Sequence, residues 1–138
     1  MAESLARLRR LVFERHSNPW SAWSRLLTTP LILVPFWTRR PSHFAAVVGW
    51  MTLNAVVFPA PADDSNWATR AMLGEEQWLE AGQLDRVAAV NAVASVLLTG
   101  SVIAAWKHRL VPAAALTAGM IGLTLYQWQL MAESYDPS

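Results

Sequence analysis

Hydrophobic and polar positions alternate along this chain on a scale far longer than a strand or a soluble helix. Two apolar stretches flank one polar interval, Phe58 to Arg86, and a short basic turn divides each of them. The first apolar segment opens at Asn18-Pro19, where asparagine caps the free N–H groups and proline takes the first helical position. A helix over residues 19–37 has 19 residues and covers about 28 Å, just the thickness of a hydrocarbon core. Trp20 and Trp23 at one end and Trp37 at the other mark the two interfaces, and Pro30 and Pro35 bend the helix. Arg39-Arg40-Pro41-Ser42 forms the turn, Ser42 caps a shorter second span over 43–58, and Pro59 and Pro61 stop it.

After the polar interval a third span covers 87–106, with small residues four apart at Ala88/Ala92, Gly100/Ala104 and Ser101/Ala105. Lys107-His108-Arg109 makes the second basic turn, and a fourth span runs from Pro112 to about Met131, with Ala115/Gly119 and Ala118/Gly122 as further small pairs. Such small faces let two spans pack closely. Ahead of the first span, Leu5, Leu8, Leu11 and Val12 recur at helical spacing opposite the pairs Glu3/Arg7 and Arg10/Glu14, the pattern of an amphipathic surface helix. It lacks the apolar run and small-residue site of a cleaved signal, so it is expected to be retained. The polar interval holds six acids, two bases, Trp67 and Trp78, a mixture suited to an ordered cap on a membrane surface, with the two indoles as anchors. Asp63, Asp64 and Ser65 are N-cap candidates for a short helix that Gly74 ends in a left-handed turn, after which Glu75 to Leu79 resumes. The fold expected is all-α: a single integral-membrane domain over 1–138, a four-helix transmembrane bundle of two hairpins, with an N-terminal amphipathic surface helix and a helical cap over 59–86.

Composition supports a bilayer. Charged residues make up 15% of the chain and hydrophobic ones 54%, with a mean hydropathy of +0.24, where soluble domains carry about 25% charged residues. A net charge of +1 with no basic stripe gives no nucleic-acid partner. Without cysteine there is no thiolate nucleophile, zinc finger or iron–sulfur site, and no Walker loop, Ser-His-Asp order, H-E-x-x-H or EF-hand loop occurs. No metal spacing is matched, and the residues identify no cofactor.

Arg15-His16-Ser17-Asn18-Pro19-Trp20-Ser21, with Trp23 and Arg25, and later Asn66-Trp67-Ala68, Leu73-Gly74-Glu75 and Trp78, resemble the signatures of a family of short prokaryotic integral-membrane proteins with no assigned activity. The resemblance covers most of the chain. It implies membrane placement and transfers no catalytic residue.

With four spans, both termini and the cap share one side of the membrane. Arg25, Asn54, Asn91 and Gln127 then lie one to two turns inside the apolar zone on that side, one from each span, which makes them a candidate polar pocket. His16, Asn18, Asp64, Asn66, Arg70 and Glu75 are the candidate cap residues facing it. The plainer use of such side chains is to tie helices together and to cap them. His43 and His108 flank the turns on the opposite side, where they can meet. Two function classes fit. One is a non-catalytic membrane subunit or ligand-binding module, with the bilayer and a membrane-protein partner or second copy as its associates. The other is a small membrane enzyme acting on a lipid or isoprenoid-like substrate, with Glu75 or Asp64 as acid and Arg25 as anion holder. Seven bases flank the side of the termini against four on the other, so the positive-inside rule puts both termini in the cytoplasm of a multi-pass cell-membrane protein, although net charge points the other way.

Overall fold

The computed structural model describes residues 1–138 and is all-helical. Seven α-helices follow in order: α1 (Ala2–His16), α2 (Pro19–Leu27), α3 (Val34–Thr38), α4 (Pro41–Val57), α5 (Trp67–Ala81), α6 (Arg86–Trp106) and α7 (Leu110–Ser134), with a 3₁₀ turn (Thr29–Leu33) between α2 and α3. Two helices, α6 and α7, are long and apolar enough to cross a membrane. Their 21 and 25 residues amount to about 32 and 38 Å. The other two expected spans are of a different build. α4 has 17 residues, about 26 Å, and the segment from Pro19 to Thr38 is broken into three pieces. Proline has no N–H and its ring crowds the carbonyl four residues back. With prolines at positions 30 and 35 the chain tightens to 3₁₀ geometry at the first and restarts an α-helix at the second, where Pro35 sits in the first turn.

The chain falls into two compact units, each assembled from distant segments. The first comprises Met1–Arg25, Met51–Gln83 and Trp128–Ser138, and the second Leu26–Trp50 and Leu84–Gln127.

In the first unit α1 packs along α5. Arg9 Nη2 lies 2.6 Å from Glu80 Oε1, and Arg9 Nε 3.9 Å from Glu76 Oε1, while Leu5, Leu8 and Leu11 stay exposed. Burial, with Glu80 beside it, pushes the Glu76 carboxyl above its ordinary value despite the opposing pull of Arg9 and Arg10. A carboxyl whose folded value is raised adds stability below its unfolded value and loses that contribution as pH rises through the folded one. The seam is therefore expected to loosen from about pH 4 upward. Measured against Glu76→Gln in the same detergent, the thermal midpoint of the wild-type chain should fall between about pH 4 and pH 7.

The sequence expectation for the cap fails at one glycine. α5 does not end at Gly74 but runs on to Ala81, and Gly82, at φ 61°, makes the left-handed stop. Gly74 has another use. A Cβ built there would lie 2.1 Å from the carbonyl oxygen of Met131, so α5 and the end of α7 touch backbone to backbone. The helix start is Asn66, whose Oδ1 accepts from the Ala68 N–H at 2.9 Å, and none of the expected caps. Asp63 instead closes a turn of its own on the backbone and hydroxyl of Ser65. The indoles of Trp23, Trp67 and Trp128 stack at 5.5–6.0 Å, with Trp67 Nε1 donating to Gln129 Oε1 at 2.8 Å, so one of the two expected membrane anchors packs against other parts of the protein.

The second unit is the apolar one. α6 meets α7 where Gly100 leaves room for the Leu116 side chain and where Ser101 faces Thr117. Thr117 Oγ1 donates to Ser101 Oγ at 3.2 Å. Of the small pairs expected on α7, Gly119 reaches Leu97 and Gly122 meets nothing within 4 Å. Trp50 Nε1 donates to Thr28 Oγ1 at 2.8 Å, which pairs a half-buried indole of an apolar helix with a hydroxyl at the start of the 3₁₀ turn. The two basic turns are knitted together. Arg39, in the left-handed conformation at φ 56°, donates to the carbonyl of Trp106, and His108 Nε2 lies 2.7 Å from the carbonyl of Trp37 with the two rings at 4.8 Å. The two histidines on these turns therefore take separate partners, His43 Nδ1 pairing with Thr38 Oγ1 at 2.8 Å.

Candidate functional site

The passage from α1 into α2 is the R-H-S-N-P-W-S motif. Ser17 Oγ donates to the Glu14 carbonyl at 2.8 Å and closes α1. Asn18 Oδ1 accepts the Trp20 N–H at 2.8 Å, so the asparagine before Pro19 caps α2 through its side chain. Its other side-chain atom, Nδ2, donates to the carbonyl of Pro59 at 2.9 Å, beyond the end of α4. Ser17 offers its carbonyl to Thr69 Oγ1 at 2.7 Å, which fastens the same turn to α5.

One turn further on, Ser21, Ser24 and Arg25 share a face of α2. Ser21 and Asn54 are wholly buried. Ser21 Oγ lies 2.8 Å from the Asn54 carbonyl and 2.9 Å from Asn54 Oδ1, one proton with two acceptors, and Asn54 Nδ2 donates to Ser24 Oγ at 2.8 Å. Arg25 adds a charge to this pair. Its Nη1 donates to Ser21 Oγ at 3.1 Å and to Asn54 Oδ1 at 3.3 Å, and its Nη2 reaches His16 Nε2 at 3.2 Å and Met72 Sδ at 3.3 Å. Glu75 acts on this guanidinium electrostatically and places Oε2 3.7 Å from His16 Nε2. His16 thus stands at a fork. An imidazole that accepts from Arg25 carries no proton on Nε2, and one that donates to Glu75 must carry it there. Every buried side-chain nitrogen and oxygen in the chain has a hydrogen-bond partner.

Of the four residues expected in a polar layer, Arg25 and Asn54 meet in the first unit. Gln127, buried, and Asn91, exposed, belong to the second, with Gln127 Nε2 3.4 Å from Asn91 Oδ1, a long contact. Among the candidate cap residues, His16 and Glu75 join Arg25, while Asn18 and Asn66 cap helices. Asp64 and Arg70 act elsewhere, on Tyr135: burial first, then a hydrogen bond with Asp64, raise its phenol above the usual value, and Arg70 pulls the other way. Three members of the Arg25 network are not legible in the sequence. Met72 gives no polar signal, Ser24 stands among other serines, and Ser21 shows only as the last residue of the R-H-S-N-P-W-S motif, with nothing to mark its partner.

All the motif residues near Arg25 lie within residues 15–75. No curated protein and no solved structure matches the chain. Residues 1–111 match DUF6653, a family of unknown function, and the chain belongs to that family.

Proposed function

We propose that this protein is a multi-pass membrane protein that binds rather than catalyses: a membrane subunit or ligand-binding module whose polar pocket lies around Arg25, on the side of both termini. The observation that carries this reading is how Arg25 spends its donors. Both terminal nitrogens are already taken by Ser21, Asn54, His16 and Met72, so the guanidinium holds α5 against α2 and α4, which favours the non-catalytic subunit over a module that grips an anion at Arg25 itself. Four membrane crossings fit the outer faces. In α6, Val93, Val96 and Ile103 are 52%, 69% and 52% exposed, and only 22% of the most apolar window of α6 or α7 is buried, whereas the central helix of a soluble domain is mostly covered. α4 and the proline-broken segment complete the four, and the count of flanking bases puts the termini in the cytoplasm. The family resemblance to short prokaryotic membrane proteins agrees with this placement.

The second reading is a small membrane enzyme working on a lipid or isoprenoid-like substrate. What favours it is the His16–Glu75 pair, partly exposed and able to pass a proton beside a cation.

Topology and chemistry are tested separately. Reporters active only outside the cytoplasm, fused after Arg40, within residues 60–64, after Arg109 and at the C-terminus, should be on, off, on and off in that order. An active C-terminal fusion would overturn the orientation, and a pattern that does not alternate would overturn the four spans. For chemistry, membranes bearing the wild-type chain and Glu75→Gln are compared for their polyprenyl phosphates and phospholipids. Identical profiles support the binding role, and a Glu75-dependent product replaces it with the enzyme.

A further inference from the structure

The second unit carries a groove of about 610 Å³ whose two ends differ in chemistry. One end is apolar, built from Phe36 and Phe44, in edge contact at 5.5 Å, with Val48 one turn beyond. At the other end stand Arg39 and Arg40, on the turn before α4. The Arg39 guanidinium lies over the Trp106 ring, 4.3 Å from its centroid, and is fixed there by the Trp106 carbonyl. Arg40 is exposed. Lys107 and Arg109 lie on the second basic turn, which Arg39 and His108 tie to this one. No acid opposes them: between residues 15 and 62, and again between 87 and 132, the sequence has no aspartate or glutamate.

We infer that this groove is a site for one anionic phospholipid, its phosphate held by Arg40 and the free edge of Arg39 and one acyl chain laid along Phe44 and Val48. The inference rests on the membrane placement proposed above. The charge calls for an anion and the length of apolar wall calls for a chain attached to it. A free phosphate would leave most of the groove empty, and a neutral lipid would leave Arg39 and Arg40 without an anion. The other groove of this unit, about 420 Å³ between Pro30, Leu33, Trp37, Ala113 and Ile121, has no charged group with which to choose among lipids, and its one hydroxyl, Thr117, is bonded to Ser101.

The full chain purified in neutral detergent is titrated with dioleoyl phosphatidylglycerol, dioleoyl phosphatidylcholine and inorganic phosphate, with retained lipid counted by native mass spectrometry and thermal midpoints followed in parallel. One phosphatidylglycerol should be retained, at least tenfold tighter than phosphatidylcholine. Arg40→Gln should bring the two lipids within about threefold of each other. Val48→Trp, which fills the apolar wall and keeps every base, should remove the retained lipid altogether; Ala45→Leu serves the same purpose if Val48→Trp lowers the midpoint without lipid. Equal retention of the two lipids would overturn the site. So would inorganic phosphate that competes at equal concentration, or full phosphatidylglycerol binding by the filled-groove variants. Failure of the membrane placement reads out differently, as release of the chain from membrane vesicles by alkaline carbonate.

Discussion

Gly74→Ala is expected to cost about 3 kcal/mol or more of folding stability, the upper part of the range for overpacking, because its neighbour cannot move aside. The added carbon would fall 2.1 Å from the Met131 carbonyl oxygen, and backbone within a helix has no rotamer with which to yield. Either α5 backs off α7 or the C-terminal turn of α7 unwinds, and both open the stack of Trp23, Trp67 and Trp128. A loss of this size is a large part of the 5–15 kcal/mol that holds a typical domain together. Gly49→Ala is the matched control. A Cβ added at Gly49, in α4, meets nothing within 4 Å, so the exchange should gain about 0.5–1 kcal/mol through helix propensity alone. Thermal midpoints of the two variants in the same detergent should therefore move in opposite directions, and a Gly74→Ala midpoint equal to wild type would refute the close approach.

The second large effect concerns the Arg25 network, where the two partners are unequal. Asn54→Leu keeps the branched shape but takes an acceptor from Arg25 and from Ser21 and the donor from Ser24, leaving a half-buried guanidinium short of partners. A cost of about 2–4 kcal/mol is expected, the loss for a charged group left short of a hydrogen bond and a buried hydroxyl stripped of one acceptor. Arg25→Leu removes the charge itself, and Ser21 and Asn54 still satisfy each other, so about 1–3 kcal/mol is expected. The double variant should cost less than the sum of the singles, because the charge that Asn54→Leu strands is no longer there. Arg40→Leu, on an exposed turn, should stay within about 0.5 kcal/mol of wild type. Chemical denaturation of the four proteins checks the cycle, and strict additivity would mean that Arg25 and Asn54 do not share a network.

What the sequence reveals here, and what it hides, follows from the range of each interaction. Asn18-Pro19 announces a helix start because both residues act within two positions of themselves, and the structure has Asn18 capping α2. The helical nature of each apolar segment is legible for the same reason. Gly74 is not, since a glycine that ends a helix and one that admits another backbone look alike until the other backbone is known. Gly82, eight residues on, has the positive φ that the sequence suggests for Gly74. Likewise the prolines at 30 and 35 promise a bend, but whether the chain bends or breaks into a 3₁₀ turn is decided by neighbours such as Trp50, bonded to Thr28. In the candidate pocket, Arg25 and Asn54 stand out as polar residues in apolar surroundings. Met72 does not, because a thioether is both a good core residue and a weak acceptor, and only position tells which.

The three-part make-up of the first unit imposes an order of events on the making of the protein. Residues 1–25 are made before the cap residues, and both are made before the segment from Trp128. At roughly 5–20 residues per second, Arg25 and Asn54 can pair seconds before Met131 exists, but the narrow slot at Gly74 and the gap beside Trp23 and Trp67 stay open until then. The closing step therefore has to wait for the segment that is made after both of the others. A message truncated shortly before residue 128 would yield a protein with its apolar helices made and its tryptophans uncovered, a form that membrane proteases can recognise by what it has failed to shut.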